Sequence, residues 1–212
     1  HDHVGAFHQV PLDQAHGLVA VAEIHLVGLL VALQRRRRTD GVAERLFYGT
    51  NDGYLLAVDA KTGRPVRSFG DDDRVDLMED IPRAVRGTTD SRGYSWLGVA
   101  SPPIVAHNVV VTPNVISDGT TTKEAPPGWL KGVDARTSDT KWMFRTVPQA
   151  DDFGAETWLN ESWRYSGNTN VWSMLSVDDE LGYIYLPIGT PTGDYYGGHR
   201  PGDNLFAESL VA

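Results

Sequence analysis

Short apolar and alternating runs fill the chain from residue 45 to residue 212, and Gly, Asp, Asn and Pro separate them. Runs of this length, bounded by turn-forming residues, are typical of β-strands. No segment in this part has a long helical period of apolar positions, so the pattern predicts an all-β fold. The predicted strands are Leu46–Tyr48, Tyr54–Val58, Ile104–Val111, Trp129–Val133, Trp142–Arg145, Val171–Ser176, Gly182–Pro187 and Leu205–Val211.

One strand and its turn recur along the chain, as GYLLAVDAKTG at 53–63 and GWLKGVDARTS at 128–138. In each copy the Asp carboxylate can accept backbone N–H groups two residues on, and the last residue takes a positive φ, which favours Gly. Ser138 replaces that Gly in the second copy, and NLFAESLVA at 204–212 resembles a third copy that stops before its Asp. Such a repeat favours radially arranged blades over a sandwich. At roughly 40–50 residues per blade, 212 residues form only an arc of a closed propeller.

The first 40 residues follow a different pattern. Five histidines lie in the first 25 residues without regular ligand spacing, and an apolar stretch, Gly17–Leu33, precedes the basic run Arg35–Arg38. Three interpretations are open: a membrane-spanning or signal-like segment, a soluble amphipathic helix, or a stretch foreign to the domain. We favour the third, because the similarity to known proteins that the rest of the chain shows stops abruptly near Gly41. We therefore divide the chain into an atypical segment, 1–40, and a β-domain, 41–212.

Charge and composition restrict the partners and cofactors. The formal net charge is −9, and it belongs to residues 41–212 because acidic and basic residues cancel in the first 40. An acidic domain repels phosphate backbones, which argues against nucleic acid as a partner. The chain has no cysteine, so disulfides, zinc–cysteine sites and a C-x-x-C-H haem attachment are excluded within it.

Four motifs carry a resemblance to a known family: FGAETW at 153–158, GNTNVW at 167–172, DDELGYIYLP at 178–187 and GTPTGDYYGGHRPGDNLFAESLV at 189–211. In this order and spacing the chain resembles the PQQ (pyrroloquinoline quinone)-dependent dehydrogenases, which are eight-bladed propellers. The resemblance covers residues 41–212 and implies an internal piece of such a propeller. It further implies oxidation of an alcohol or sugar by hydride transfer to PQQ, with calcium as a second cofactor and a quinone or cytochrome as electron acceptor. A periplasmic location follows in the same way, and membrane association stays open for the full-length protein.

The resemblance also assigns roles to residues. Family members stack the PQQ ring on a tryptophan floor, and Trp172 stands at that place; a large aromatic face suits a planar quinone. Ser101 stands where relatives contact a PQQ carboxylate, and Thr169 and Asn170 precede the floor tryptophan and could reach the ring edge. The alternative is an ordinary blade-core tryptophan surrounded by turn and strand polar residues. The tryptophans that we expect only to pack are Trp142, Trp158 and Trp163.

For calcium, the family supplies a Glu and an Asn among the ligands. Glu124 matches the first place, and a hard cation prefers such carboxylate oxygens, although a solvent-facing loop Glu is the alternative. The segment 189–194 contains no Asn, so Thr192 is the predicted second ligand, with Asp194 as the alternative.

Two features of the family pattern are missing. Relatives carry an Arg directly before a Gly-Val strand, but here Thr39 and Asp40 stand before Gly41 and Val42. The catalytic Asp of the family belongs to a motif that follows the third repeat, and these residues do not contain that motif. We therefore name no catalytic residue and expect the 212-residue chain alone to lack dehydrogenase activity. The competing hypothesis is a non-enzymatic propeller scaffold with the same repeat, which would not need the series of motifs from 157 to 198. A carbohydrate-binding β-domain is a third hypothesis, and its only support is the richness of the chain in aromatic residues.

Overall fold

The computed structural model describes residues 31–32, 44–87, 97–99, 101–117 and 123–212. Within these ranges short strands dominate, which confirms the all-β prediction. The strands are β1 (Val31–Ala32), β2 (Arg45–Gly49), β3 (Tyr54–Asp59), β4 (Arg74–Asp76), β5 (Leu97–Gly98), β6 (Ile104–Ala106), β7 (Val109–Val111), β8 (Val115–Ile116), β9 (Leu130–Asp134), β10 (Thr140–Phe144), β11 (Ser176–Asp178), β12 (Tyr183–Pro187) and β13 (Leu210–Val211). The helical segments are single 3-10 turns or pairs of turns at Ala155–Thr157, Leu159–Arg164 and Gly197–His199.

The strands form consecutive antiparallel sheets. The orders are β1-β2-β3-β4, then β6-β7-β9-β10, then β11-β12-β13, with a separate pair β5-β8. Four-stranded antiparallel sheets that follow one another along the chain are the blades of a propeller. Strands β3 and β9 hold the same place in the first two blades, and β13, at the end of the predicted third repeat, pairs with β12 as β9 pairs with β7. The partial propeller predicted from the repeat is confirmed.

The predicted Asp turn is present in both full copies of the repeat. Asp59 Oδ1 accepts the backbone N–H groups two and three residues on, at 3.1 and 2.8 Å, and Asp134 Oδ1 does the same at 2.8 and 3.1 Å. Gly63 and Ser138 close these turns at φ 68° and 72°. A further turn of the same kind, which was not predicted, lies at Asp178 between β11 and β12, where the two distances are 2.9 and 3.0 Å.

The predicted strand Ile104–Val111 is wrong as a single element. His107 and Asn108 adopt φ 46° and 72°, so the chain reverses there and forms the hairpin β6–β7, with Ala106 paired to Val109. Two consecutive residues at positive φ are the geometry of a tight hairpin turn, and Asn tolerates it well. The apolar run on both sides of this turn concealed the reversal.

Two other predicted strands are largely wrong. In Val171–Ser176 only the last residue lies in a strand, and the carbonyls of Val171 and Trp172 instead accept hydrogen bonds from Asn114 and Ser101. In Leu205–Val211 only Leu210 and Val211 lie in a strand, since Phe206 and Glu208 take φ 75° and 48°, which no strand permits.

Buried side chains join neighbouring blades. The first and second blades share the cluster Phe47, Leu55, Ala57, Phe69, Leu77, Val99, Val110 and Val133. The second and third share the cluster Ile104, Val111, Leu130, Val171, Leu186 and Ile188. Each blade therefore buries apolar surface against the next, as the sheets of a propeller do.

The atypical segment 1–40 lies outside the described residues except for β1, whose backbone pairs with β2. The three interpretations of this segment therefore stay predictions. In the described part of the chain, no helix has the length and apolar character needed to cross a membrane.

Candidate functional site

The predicted cofactor residues lie on and around one irregular segment, Ser166–Trp172, which we call the floor segment. It leads from the 3-10 helix Leu159–Arg164 toward the third blade. Its backbone reverses at Asn168 and Thr169, which take φ 49° and 51°. Positive φ at two consecutive non-glycine residues is uncommon and is maintained only by strong surrounding contacts.

Those contacts come from the second and third blades. On one side, Asn168 accepts the Gly128 N–H at 2.7 Å and donates its own N–H to the Pro126 carbonyl at 2.9 Å. On the other side, the Gly189 N–H donates to the Asn170 carbonyl at 2.9 Å. The floor segment is therefore bonded to loops that precede β9 and follow β12.

The side chain of Trp172 is the exposed end of this segment. It is 61% exposed, whereas Trp158 is 1% and Trp129 5% exposed. Ser101 Oγ donates a 2.6 Å hydrogen bond to the Trp172 carbonyl. A Cβ built on Gly189 would lie 3.4 Å from Trp172 Nε1, so the indole edge rests against the Gly189 backbone. The result is a flat aromatic surface that faces outward on a fixed backbone.

Thr169 and Asn170 are buried, and their side chains bond to the protein backbone. Thr169 Oγ1 donates to the Gly167 carbonyl at 3.2 Å, and Asn170 Nδ2 donates to the Asn114 carbonyl at 2.9 Å. These bonds shape the backbone that carries Trp172. Contact of either residue with a cofactor ring stays a prediction.

The predicted metal ligands lie on the two loops that flank the floor segment. Thr192 is buried, and its Oγ1 accepts the Gly167 N–H at 2.9 Å. Glu124 is exposed and lies near the Arg83 guanidinium. Burial lowers the pKa of Arg83, and the Glu124 charge opposes that shift.

These two ligands do not by themselves fit calcium, which takes six to eight oxygens. Thr192 Oγ1 is already engaged by a backbone N–H. Among the described residues, moreover, no group of three or more His, Cys, Asp or Glu side chains is placed to hold a metal ion. We therefore derive no chemistry through a metal, and the roles of Glu124 and Thr192 as ligands stay predictions.

Two buried asparagines of the site, Asn114 and Asn168, were not predicted from the sequence. Asn114 donates its backbone N–H to the Val171 carbonyl at 2.9 Å and Nδ2 to the Trp129 carbonyl at 2.8 Å. Within the described ranges, neither Asn114 Oδ1 nor Asn168 Oδ1 receives a hydrogen bond. An Asn beside a Pro, as in the sequence TPN at 112–114, is an ordinary turn signal, so the pattern gave no reason to place Asn114 against the floor segment.

A family comparison agrees with this geometry. Residues 22–212 match the model of the PQQ glucose/ethanol/alcohol dehydrogenase β-propeller domain. The chain belongs to this family. The match starts ahead of Gly41, where the resemblance seen in the sequence begins.

Curated relatives extend the likeness. The chain is 34% identical over 172 residues to the quinoprotein glucose dehydrogenase A of Acinetobacter calcoaceticus, covering 79% of this chain and 20% of the relative. It is 32% identical over 169 residues to the glycerol dehydrogenase large subunit of Gluconobacter oxydans (strain 621H), covering 79% and 21%. This family member thus spans about a fifth of the length of these relatives.

A solved structure shows the same fold. The quinohemoprotein alcohol dehydrogenase from Comamonas testosteroni superimposes with a TM-score of 0.60 at 24% sequence identity, over 79% of this chain and 23% of that one. At this identity the likeness concerns the fold alone. It supports the assignment of the three sheets to an arc of a propeller.

Proposed function

We propose that this chain is the part of a PQQ-dependent dehydrogenase propeller that provides the floor of the cofactor site, with Trp172 as the surface on which PQQ stacks. The observation that carries the proposal is the exposed indole on a backbone fixed by the second and third blades. A planar ring laid on this aromatic face would gain about 0.5–1.5 kcal/mol beyond the area buried.

Three residues around Trp172 hold its backbone in place. Ser101 fixes the Trp172 carbonyl, and the side-chain bonds of Thr169 and Asn170 hold the reversed backbone before it. A bound PQQ would supply the hydride acceptor, which no amino-acid side chain provides. The role of these residues is to orient a flat ligand and to exclude water from its lower face.

The substrate and the partners of the complete protein belong to the same proposal. The relatives are named for glucose and glycerol, and we propose a small alcohol or sugar as the substrate, with a quinone or cytochrome as the electron acceptor. We propose a periplasmic location on the same grounds. We propose calcium as a cofactor of the complete protein only. There, oxygen atoms other than those of Glu124 and Thr192 would have to complete its coordination.

These 212 residues alone are proposed to be inactive, because no residue in them matches the place of the family's catalytic Asp. A dye-linked assay of the purified chain with PQQ, calcium and alcohol or glucose tests this. We expect no turnover above background, and turnover that depends on PQQ would contradict it.

The floor assignment is tested by PQQ affinity in the complete polypeptide that carries this sequence. We expect Trp172→Ala to raise the dissociation constant at least about ten-fold, since about 1.4 kcal/mol corresponds to a factor of ten. Trp142→Ala is the matched control, because Trp142 lies on β10 and packs against Gly132. Equal affinity of the wild type and Trp172→Ala would contradict the floor role, and absence of PQQ binding by the wild type would favour the non-enzymatic scaffold.

A further inference from the structure

Arg83 joins two loops of the site that are distant in sequence. Its Nε donates to the Ala125 carbonyl at 2.8 Å. Its Nη1 and Nη2 donate to the carbonyls of Arg164 and Ser166 at 2.7 and 2.8 Å. Ala125 follows Glu124, and Ser166 begins the floor segment, so one side chain bonds the backbones of both loops.

A guanidinium suits this place for a geometric reason. It presents several N–H donors in one plane and stays charged, so it can bond three carbonyls at once. Charge-assisted bonds of this kind are roughly twice as strong as neutral ones. A Lys ammonium carries the same charge on a flexible stem and cannot reproduce the planar fork.

The backbone under Arg83 is itself fixed. The Ile81 N–H donates to the Met78 carbonyl at 3.0 Å, and Arg83 follows at φ 63°. Met78 and Ile81 are buried in one cluster with Ala125 and Trp129. The turn that carries Arg83 is therefore packed directly on the loop that Arg83 bonds.

The backbones of the two loops share only one long hydrogen bond at this point among the described residues. The Ala125 N–H reaches the Tyr165 carbonyl at 3.4 Å, and close backbone bonding begins only at Asn168, 2.9 Å from the Pro126 carbonyl. The three short bonds from Arg83 thus fix the spacing between the loops where their own bonds do not.

We propose that Arg83 is a positioning residue of the cofactor site, which holds the Glu124–Ala125 loop and the start of the floor segment in the register that places Trp172 under PQQ. This inference rests on the proposed function. Arg83 lies on the connection between β4 and β5, far in sequence from the family motifs, which begin at residue 153.

The test compares PQQ affinity in the complete polypeptide for wild type, Arg83→Gln, Arg83→Lys and two controls. Arg67→Gln removes an exposed arginine whose ion pair to Asp73 spans 3.7 Å. Leu55→Ala opens a cavity in the shared core of the first and second blades and lowers stability without contact with the site. All variants are assayed at temperatures where each is folded by thermal melting.

We expect Arg83→Gln to weaken PQQ binding about ten-fold or more and Arg83→Lys to restore little of it, because both lose the three-carbonyl fork. We expect Arg67→Gln and Leu55→Ala to keep wild-type affinity. If Arg83→Gln does not fold, Arg83→Lys decides the outcome alone. Wild-type affinity in the Arg83 variants, or an equal loss in Leu55→Ala, would overturn the positioning role while leaving the proposed function intact. Failure of the wild type to bind PQQ would overturn both.

Discussion

The Asp59 turn and the floor segment are both short irregular stretches, yet they are held in opposite ways. Every bond that Asp59 Oδ1 accepts comes from within three residues in sequence. The floor segment depends on partners 25, 56 and 71 residues away. The first blade can therefore form this turn from adjacent residues, whereas the proposed cofactor surface exists only when neighbouring blades and loops are assembled.

The largest expected effect comes from breaking the long-range contacts of the floor segment. A Cβ on Gly167 would lie 2.2 Å from the Ala125 carbonyl oxygen and 2.5 Å from that of Pro126. Because both obstacles are backbone atoms, Gly167→Ala must separate the loops. We expect it to lower the free energy of unfolding by about 3 kcal/mol or more, measured by denaturant unfolding.

Gly182→Ala is the matched control in the turn between β11 and β12. A Cβ there meets nothing within 4 Å, but the residue has φ +72°. The left-handed backbone conformation is then the only source of destabilisation. We therefore expect the free energy of unfolding to fall by about 1 kcal/mol. Equal losses at the two glycines would contradict the contrast between the local turn and the assembled segment.

Much of the fold could be predicted from the sequence, because turns such as Asp59 and Asp134 are encoded by adjacent residues. The predicted strands are wrong where partners distant in sequence determine the conformation, as in the stretch that begins at Val171. At the site, the motif pointed to Trp172, but Arg83 could not be found from sequence. Its carbonyl partners lie 42 to 83 residues away, and no local pattern marks a side chain whose hydrogen-bond acceptors are so distant in sequence.

A second prediction concerns the pH dependence of the Asp134 turn. Bonds from the backbone N–H groups of Arg136 and Thr137, assisted by Lys141, lower the pKa of Asp134 to about 2. A carboxyl group whose pKa is lower in the folded protein than in the unfolded protein stabilises the fold at pH values above the unfolded pKa. This stabilisation is lost as the pH falls toward the folded pKa. We expect a contribution of about 2 kcal/mol that disappears between pH values of about 4 and 2.

The Asp134→Asn variant checks this. Its free energy of unfolding should be lower at neutral pH and should change less than that of the wild type as the pH falls to about 2. Asp59→Asn is the control at the less buried copy of the turn. The pKa of Asp59 is also lowered, first by the bonds from Thr62, and we expect a smaller change there. A wild-type pH profile retained in Asp134→Asn would refute the assignment.

The smallest effect is expected from exchanging the residues that close the two copies of the turn. Ser138 holds φ 72° and Gly63 holds φ 68°, a conformation that costs a side-chain-bearing residue energy. We expect Ser138→Gly to stabilise the chain by about 0.5–1 kcal/mol and Gly63→Ser to destabilise it by a similar amount. Thermal unfolding of both variants provides the measurement, and shifts of the same sign would show that the two turns are not equivalent.

The central claim is that PQQ stacks on Trp172, and the most direct measurement is tryptophan fluorescence of the complete polypeptide during titration with PQQ. Trp142→Phe is the control, since it removes a tryptophan from β10 and leaves the floor segment unchanged. We predict saturable quenching in the wild type and in Trp142→Phe, and the loss of most of that quenching in Trp172→Phe. Quenching of undiminished amplitude in Trp172→Phe would contradict the account.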